Sequence, residues 1–156
     1  KIRKLILNMK SSFNNYTDLL LYLAARSENI DLIKKHYKKK VILIDRFIDS
    51  TIAYQHYGMG ADINLINNLN KHLLENIKVD FTFLNIVSKK NLYDRLKKRK
   101  SLNRYDKFNM AFYSKVQKGF IELSNKQKKK YQIINSNLDI KNNEKLILDK
   151  FENLIK

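Results

Sequence analysis

The residues best suited to chemistry in this chain lie between 45 and 55, in the run Asp45-Arg46-Phe47-Ile48-Asp49-Ser50-Thr51-Ile52-Ala53-Tyr54-Gln55. Asp45 and Arg46 place an acid and a base directly after Val41-Ile42-Leu43-Ile44, a short apolar run that predicts a buried strand. In open α/β sheets, ligands bind at the carboxyl ends of the strands. There a guanidinium suits a phosphate, and a carboxylate suits a metal or the reacting oxygen. A structural ion pair closing the strand would use the same two residues, and position alone does not choose between these readings. A helix beginning near Ser50 would bring Thr51, Tyr54 and Gln55, at i, i+3 and i+4, to one face of the same crevice. A hydroxyl and a carboxamide suit the polar edge of a base, and a tyrosine suits the face of a sugar.

Two further groups could contribute. Tyr22 and Arg26 are four residues apart and share a helix face, so a ring could stack on a nucleobase while the guanidinium donates to its carbonyl edge. The same spacing also serves a core aromatic beside an arginine whose head reaches water. Around a predicted loop lie Arg95, Lys97, Lys98, Arg99, Lys100 and Arg104. Phosphoryl transfer depends on cations placed against the transferring oxygens. A basic lid over about residues 95–108 would supply one or two of them, leaving the others on a solvated helix face.

The elements that must position these groups follow from periodicity. A helix tail over 1–9 precedes a helix capped by Thr17 or Asp18 and running to about His36, with Leu19, Leu20, Leu23, Ile30 and Ile33 as apolar positions. After the strand at Val41 comes the helix from Ser50, broken at Gly58 and Gly60, then a helix carrying Ile63, Ile66, Leu69, Leu73 and Leu74. Phe81 to Val87 reads as a strand and a basic helix starts near Lys90. A further helix buries Phe112, Val116, Phe120 and Leu123, and Tyr131 to Ile134 reads as the last strand. The final helix carries Leu146, Ile147, Phe151 and Ile155. This alternation predicts an α/β class with a parallel sheet flanked by helices, in a single domain over 1–156.

Composition excludes several classes. With 156 residues, 44% hydrophobic and 30% charged, the chain can bury a core. It has no cysteine, so neither disulfides nor thiolate metal sites, and His36, His56 and His72 lack ligand spacing. No apolar run approaches the roughly 20 residues of a membrane span, and no signal peptide opens the chain, so a cytoplasmic protein is expected. The net charge of +17 raises a nucleic-acid-binding module as an alternative, with affinity falling steeply in salt. However, abundant Lys, Asn and Ile without Pro or Trp fit A/T-rich coding. Lys38-Lys39-Lys40 and Lys128-Lys129-Lys130 precede strands, away from the ligand end of a parallel sheet, so they read as solvated faces and no nucleic acid is expected.

Taken together, Leu21-Tyr22-Leu23-Ala24-Ala25-Arg26 and the run at 45–55 resemble the thymidylate kinases, which transfer the γ-phosphoryl group of ATP to dTMP. The joint occurrence of AAR and DR-x(3)-S-x(2)-AYQ at this separation is what makes the resemblance specific. Phe81-Thr82-Phe83-Leu84-Asn85 is similar to the family's next strand, and Arg99 to Asp106 to its lid. The fold implied is that of a nucleoside-monophosphate kinase, with dTMP, ATP and Mg2+ as its ligands and a homodimer as its assembly. The resemblance implies that Tyr22 stacks on thymine, Arg26 donates to a thymine carbonyl, and Ser50, Thr51 and Gln55 bind or flank the base. It implies that Tyr54 crowds the 2′ position of the sugar, Arg46 holds the acceptor phosphate, and Asp45 acts through magnesium or on that phosphate. Arg99 and Arg104 would be lid cations, and Asn135 and Ser136 would lie at the adenine pocket. Another phosphate-loop kinase, acting on a deoxynucleoside or a different nucleoside monophosphate, is the nearest alternative.

Three positions depart from the family pattern: Asn103 stands for the usual Asp, Met59 for a frequent Arg, and Asn135-Ser136 for Asp-Ala. No G-x-x-x-x-G-K-[ST] occurs, and the chain opens on Lys1, which resembles the helix following the family's first two strands. The expectation is an amino-terminally truncated copy lacking a βαβ-sized piece of roughly 30 residues or more. On that expectation the 156 residues alone are inactive as a kinase, while the complete product is active.

Overall fold

Caps and apolar spacing account for most of the elements. The computed structural model describes all residues, 1–156. In chain order they form α1 (Ile2–Leu7), α2 (Asn15–His36), α3 (Ile48–Thr51), α4 (Ile63–Leu74), β1 (Thr82–Ile86), α5 (Lys89–Lys97), α6 (Met110–Lys126), β2 (Tyr131–Asn135) and α7 (Ile140–Ile155). α3 runs on into a wider, π-type coil over Ile52–Gly58, and 3-10 turns cover Arg104–Lys107 and Lys128–Lys130. Two compact units result, one of Lys1–Lys78 with Lys100–Leu123, the other of Val79–Arg99 with Ser124–Lys156.

In the first unit, α2 is capped by Asn14, whose Oδ1 accepts from Thr17 N at 2.8 Å. Thr17 and Asp18 were the expected caps. Asp18 lies one turn inside the helix and faces the interior. Lys34, Lys35 and His36 close α2 at the end where the helix dipole favours cations. Leu19 and Leu23 of α2, Ile52, Ala61 and Ile66 of α4 form one apolar core. Ile6 of α1, Ala53, Tyr105, Phe112 and Val116 form a second. The segment Ile52–Gly58 thus has a core on either side, with Ile52 in one and Ala53 in the other.

This close fit depends on two glycines. A Cβ on Gly58 would stand 2.6 Å from the Phe112 ring, and one on Gly119 of α6 would stand 2.5 Å from the Tyr57 ring. Each helix receives an aromatic side chain of the other where it has no side chain of its own, which lets the backbones approach.

Val41–Ile44 is not a strand, contrary to the sequence expectation. Val41 and Leu43 are 62% and 80% exposed. A strand exists only through the ladder it makes with a neighbour, and no such ladder forms on these residues. The helix expected from Ser50 starts two residues earlier, at Ile48.

In the second unit, β1 and β2 pair in parallel, in register from Thr82 with Tyr131 to Ile86 with Asn135. Leu84 and Ile134 are the buried residues of the two strands. The expected α/β class with parallel strands is therefore present. Ser88 caps α5 through Asn91 N at 3.2 Å, and Asp139 caps α7 through Lys141 N at 3.1 Å. The lysine runs 38–40 and 128–130 are exposed. No helix is long and apolar enough to cross a membrane.

Candidate functional site

The residues singled out by type and spacing meet between α2 and the segment 48–58. Arg26 is 8% exposed and donates from Nη1 to Asn70 Oδ1 at 2.7 Å. Its Nη2 donates to Phe47 O at 3.0 Å and to Thr51 Oγ1 at 2.6 Å. The guanidinium also lies over the Phe47 ring, 5.3 Å from the centroid. Burial pulls the Arg26 pKa down to about 10, with Asp49 acting in the opposite direction, so the group stays cationic at neutral pH.

A second rung crosses the same helices eight residues earlier on α2. Asp18, 1% exposed, accepts from Gln55 Nε2 at 3.0 Å and from the Tyr105 hydroxyl at 2.6 Å. Its other oxygen accepts from Arg104 Nη2, and Arg104 Nε donates to Ile6 O at 3.1 Å. A buried carboxylate is thereby matched by one cation and two neutral donors. Asp18, Tyr22 and Arg26 recur at i, i+4 and i+8, so a single face of α2 carries all three.

Between the two rungs lies an aromatic wall. Tyr105 packs edge-on to Tyr22 at 6.1 Å and to Tyr54 at 5.7 Å between ring centroids. Tyr54 also meets Phe112 edge-on at 6.0 Å. Burial raises the pKa values of Tyr22 and Tyr105, so both phenols stay neutral. Arg46 stands over the Tyr54 ring at 5.2 Å. Its backbone is left-handed, φ 63°, a conformation that a non-glycine residue holds at a cost of order 1 kcal/mol and that recurs at binding sites. Asp45 and Arg46 are exposed, while Thr51 and Gln55 are 2% and 1% exposed and Ser50 is half-buried.

The expected lid residues fall in different settings. Arg104 and Tyr105 are buried in the first unit, in a turn capped by Asn103, whose Oδ1 accepts from Tyr105 N at 2.9 Å while Asp106 Oδ2 accepts from Asn103 N at 2.7 Å. Asn103, which departs from the family pattern, thus forms a capping box with Asp106. Arg99 is exposed and belongs to the second unit. There Asn135 and Ser136 close the carboxyl ends of both strands. Ser136 N donates to Ile86 O at 2.8 Å, and Ser136 O accepts from Arg95 Nη2 at 2.6 Å. Asn135 Oδ1 accepts from Asn137 N at 3.0 Å.

The sequence reading passed over Asn70, Phe47 and Tyr105, and read Asp18 as a possible cap. The signal for Asp18 was its repeat with Tyr22 and Arg26. Nothing in spacing pointed to Tyr105, which is 87 residues from the carboxylate it binds.

A model of the family described as thymidylate kinase matches residues 1–147. The chain belongs to the thymidylate kinase family. It is similar to thymidylate kinase of Wolbachia pipientis subsp. Culex pipiens (strain wPip), 37% identical over 137 residues, covering 86% of this chain and 65% of the relative. Thymidylate kinase of Mesoplasma florum is 34% identical over 160 residues, with 97% and 76% covered. Among solved structures, thymidylate kinase from Ehrlichia chaffeensis superposes with a TM-score of 0.66 at 28% identity, over 94% of this chain and 69% of that one. The chain spans 65%, 58% and 66% of the lengths of three Wolbachia thymidylate kinases it matches. Both rungs across α2 lie within the stretch matched to the thymidylate kinase family.

Proposed function

We propose that the protein phosphorylates dTMP, with ATP and Mg2+, to give dTDP and ADP, and that these 156 residues carry the acceptor half of the site. The observation that supports this is the joining of Arg26 to Thr51 across two helices, with Tyr22 one turn before Arg26 on α2 and Arg46 stacked over Tyr54. Arg26 and Thr51 offer polar groups for a base, Tyr22 and Tyr54 offer rings, and exposed Arg46 offers a guanidinium for a phosphate.

In this reading Tyr22 stacks on thymine, and Arg26 with Thr51 faces a base carbonyl. Ser50 and Gln55 flank the base, and Tyr54 lies against the sugar. Arg46 holds the acceptor phosphate. Asp45 is the one carboxylate assigned to magnesium; the chain has no group of three acids or histidines that could enclose a metal. Mg2+ bound to phosphates commonly uses one or two carboxylates and several waters, which a single exposed Asp fits. Bound there, the ion would offset charge on the phosphate oxygens. Arg99, which is exposed, and Arg104, which is bonded to Asp18, are the two lid cations assigned to the transferring phosphoryl group. Asn135 and Ser136 serve the adenine side, and a cytoplasmic homodimer is the setting that the family resemblance suggests. No residue of the 156 is assigned to cradling the ATP phosphates.

The test is a coupled assay of ADP release by the whole protein with dTMP, dUMP, dCMP and thymidine in turn. Turnover with dTMP well above the others is the expected result. Preference for a non-thymine acceptor would refute the assignment.

A further inference from the structure

We propose that Asp18 is a positioning residue that sets the hydrogen-bonding sense of the base pocket, selecting a pyrimidine imide over cytosine; this rests on the acceptor reading above. An ionised carboxylate only accepts hydrogen bonds, and Arg104 holds Asp18 as the anion. The Gln55 side chain must therefore turn its nitrogen toward Asp18, as it does at 3.0 Å. Its oxygen is the atom left over. That oxygen accepts from no protein donor, and no fully buried side-chain oxygen or nitrogen lacks a partner, so Oε1 retains an opening.

One helical turn earlier the sense is reversed. Thr51 Oγ1 accepts from Arg26 Nη2, which leaves the Thr51 hydroxyl proton to donate. The pocket edge therefore reads donor at Arg26 and Thr51, then acceptor at Gln55. The C4 carbonyl and N3–H of thymine or uracil read acceptor, then donor, and match. Cytosine presents an amino group at C4 and a bare N3, the opposite pattern, and would set donor against donor and acceptor against acceptor. Tyr105 keeps this arrangement from rotating, because its hydroxyl binds the same Asp18 oxygen and its ring is set between Tyr22 and Tyr54.

Asp18→Asn keeps the shape and an oxygen for Arg104, but its amide now donates toward Gln55. The Gln55 carboxamide must flip and turn Nε2 outward. The whole protein would be titrated calorimetrically with dTMP, dUMP and dCMP. Affinity for dTMP and dUMP is expected to fall in parallel by about 10- to 100-fold, as for a lost matched pair in a buried site, while dCMP is not weakened. Gln55→Met should narrow the dTMP-to-dCMP ratio similarly, and Asp18→Asn in that background should narrow it no further. Unchanged ratios in the folded variants overturn the inference.

Should Asp18→Asn fail to fold, the wild type decides. By NMR the Gln55 side-chain NH2 should stay bonded to Asp18 when dTMP binds, and an Nε2 proton that moves to the base overturns the inference. A wild type without preference for dTMP over dCMP would instead be a failure of the acceptor reading.

Discussion

Arg26 on α2 donates from Nη2 to Thr51 Oγ1, 25 residues away in sequence and 2.6 Å away in space. The same guanidinium holds Asn70 of α4 and the Phe47 carbonyl, so three segments converge on one side chain. Arg26→Met would keep the stem and leave these acceptors without their donor. A loss of about 2–4 kcal/mol is expected, because a buried acceptor that loses a charged partner is not rehydrated. Arg26→Lys should recover only part of it, since an ammonium lacks the planar fork. Urea unfolding midpoints measure both, and a midpoint unchanged in Arg26→Met would contradict the assignment.

Gly119 and Tyr57 make a different kind of contact, in which the absence of a side chain is what matters. Gly119→Ala would bring a methyl to 2.5 Å from the Tyr57 ring, in a helix where alanine is otherwise the better residue. Overpacking should win, with destabilisation of about 1–3 kcal/mol. Tyr57 also donates to Glu122 Oε2 at 2.8 Å, so it cannot swing aside without losing that bond. The double variant Gly119→Ala with Tyr57→Ala should cost less than the two single effects summed. Strict additivity would show that the two residues do not meet.

The helices over 63–74 and 110–126 were legible because their apolar residues recur at three and four, and local spacing is all that such a helix needs. The strands at 82–86 and 131–135 were legible as short apolar runs between turn residues. Val41–Ile44 has the same local pattern and forms no strand, because pairing is a property of two segments. Tyr22, Arg26, Thr51 and Gln55 could be placed on faces from their spacing. Asp18 was misread because an acid in the first turn of a helix is ordinarily favoured by the dipole and exposed. Its burial depends on Arg104, 86 residues away, which no local pattern reports. The π-type coil over 52–58 was hidden for a related reason: its registration is set by packing on Phe112 and Val116 rather than by its own propensities.

The buried phenols give the stability a defined response to alkali. Tyr22 and Tyr105 have folded pKa values raised above the ordinary 10.0, chiefly by burial, so their contribution is complete below pH 10 and is lost as pH rises beyond it. Unfolding followed just below and just above pH 10 should therefore show a smaller loss in Tyr105→Phe than in wild type. Phenolate absorbance of the nine tyrosines should include late-titrating components, one fewer in Tyr105→Phe. Identical titrations would mean that Tyr105 is solvated.

Tyr54 offers a test of the sugar contact proposed for it. Its ring is held by edge-on contacts with Tyr105, Phe112 and Phe120 and is covered on one side by Arg46. A ring fixed on three sides cannot move away to admit an additional hydroxyl, so a 2′-OH would meet a rigid wall. Tyr54→Phe preserves that wall and should keep the preference for dTMP over its ribonucleotide counterpart within a few-fold. Tyr54→Ala removes it and should reduce that preference by about tenfold or more, in line with what steric and hydrogen-bond differences of one group are worth in a pocket. Some loss of stability, about 2–4 kcal/mol, should accompany the larger truncation as the aromatic cluster opens. The comparison to make is the ratio of kcat/KM for the two nucleotides in each variant, since a general weakening would lower both rates and leave the ratio intact. A ratio unchanged in Tyr54→Ala would remove Tyr54 from the sugar site and leave it as the support on which Arg46 rests.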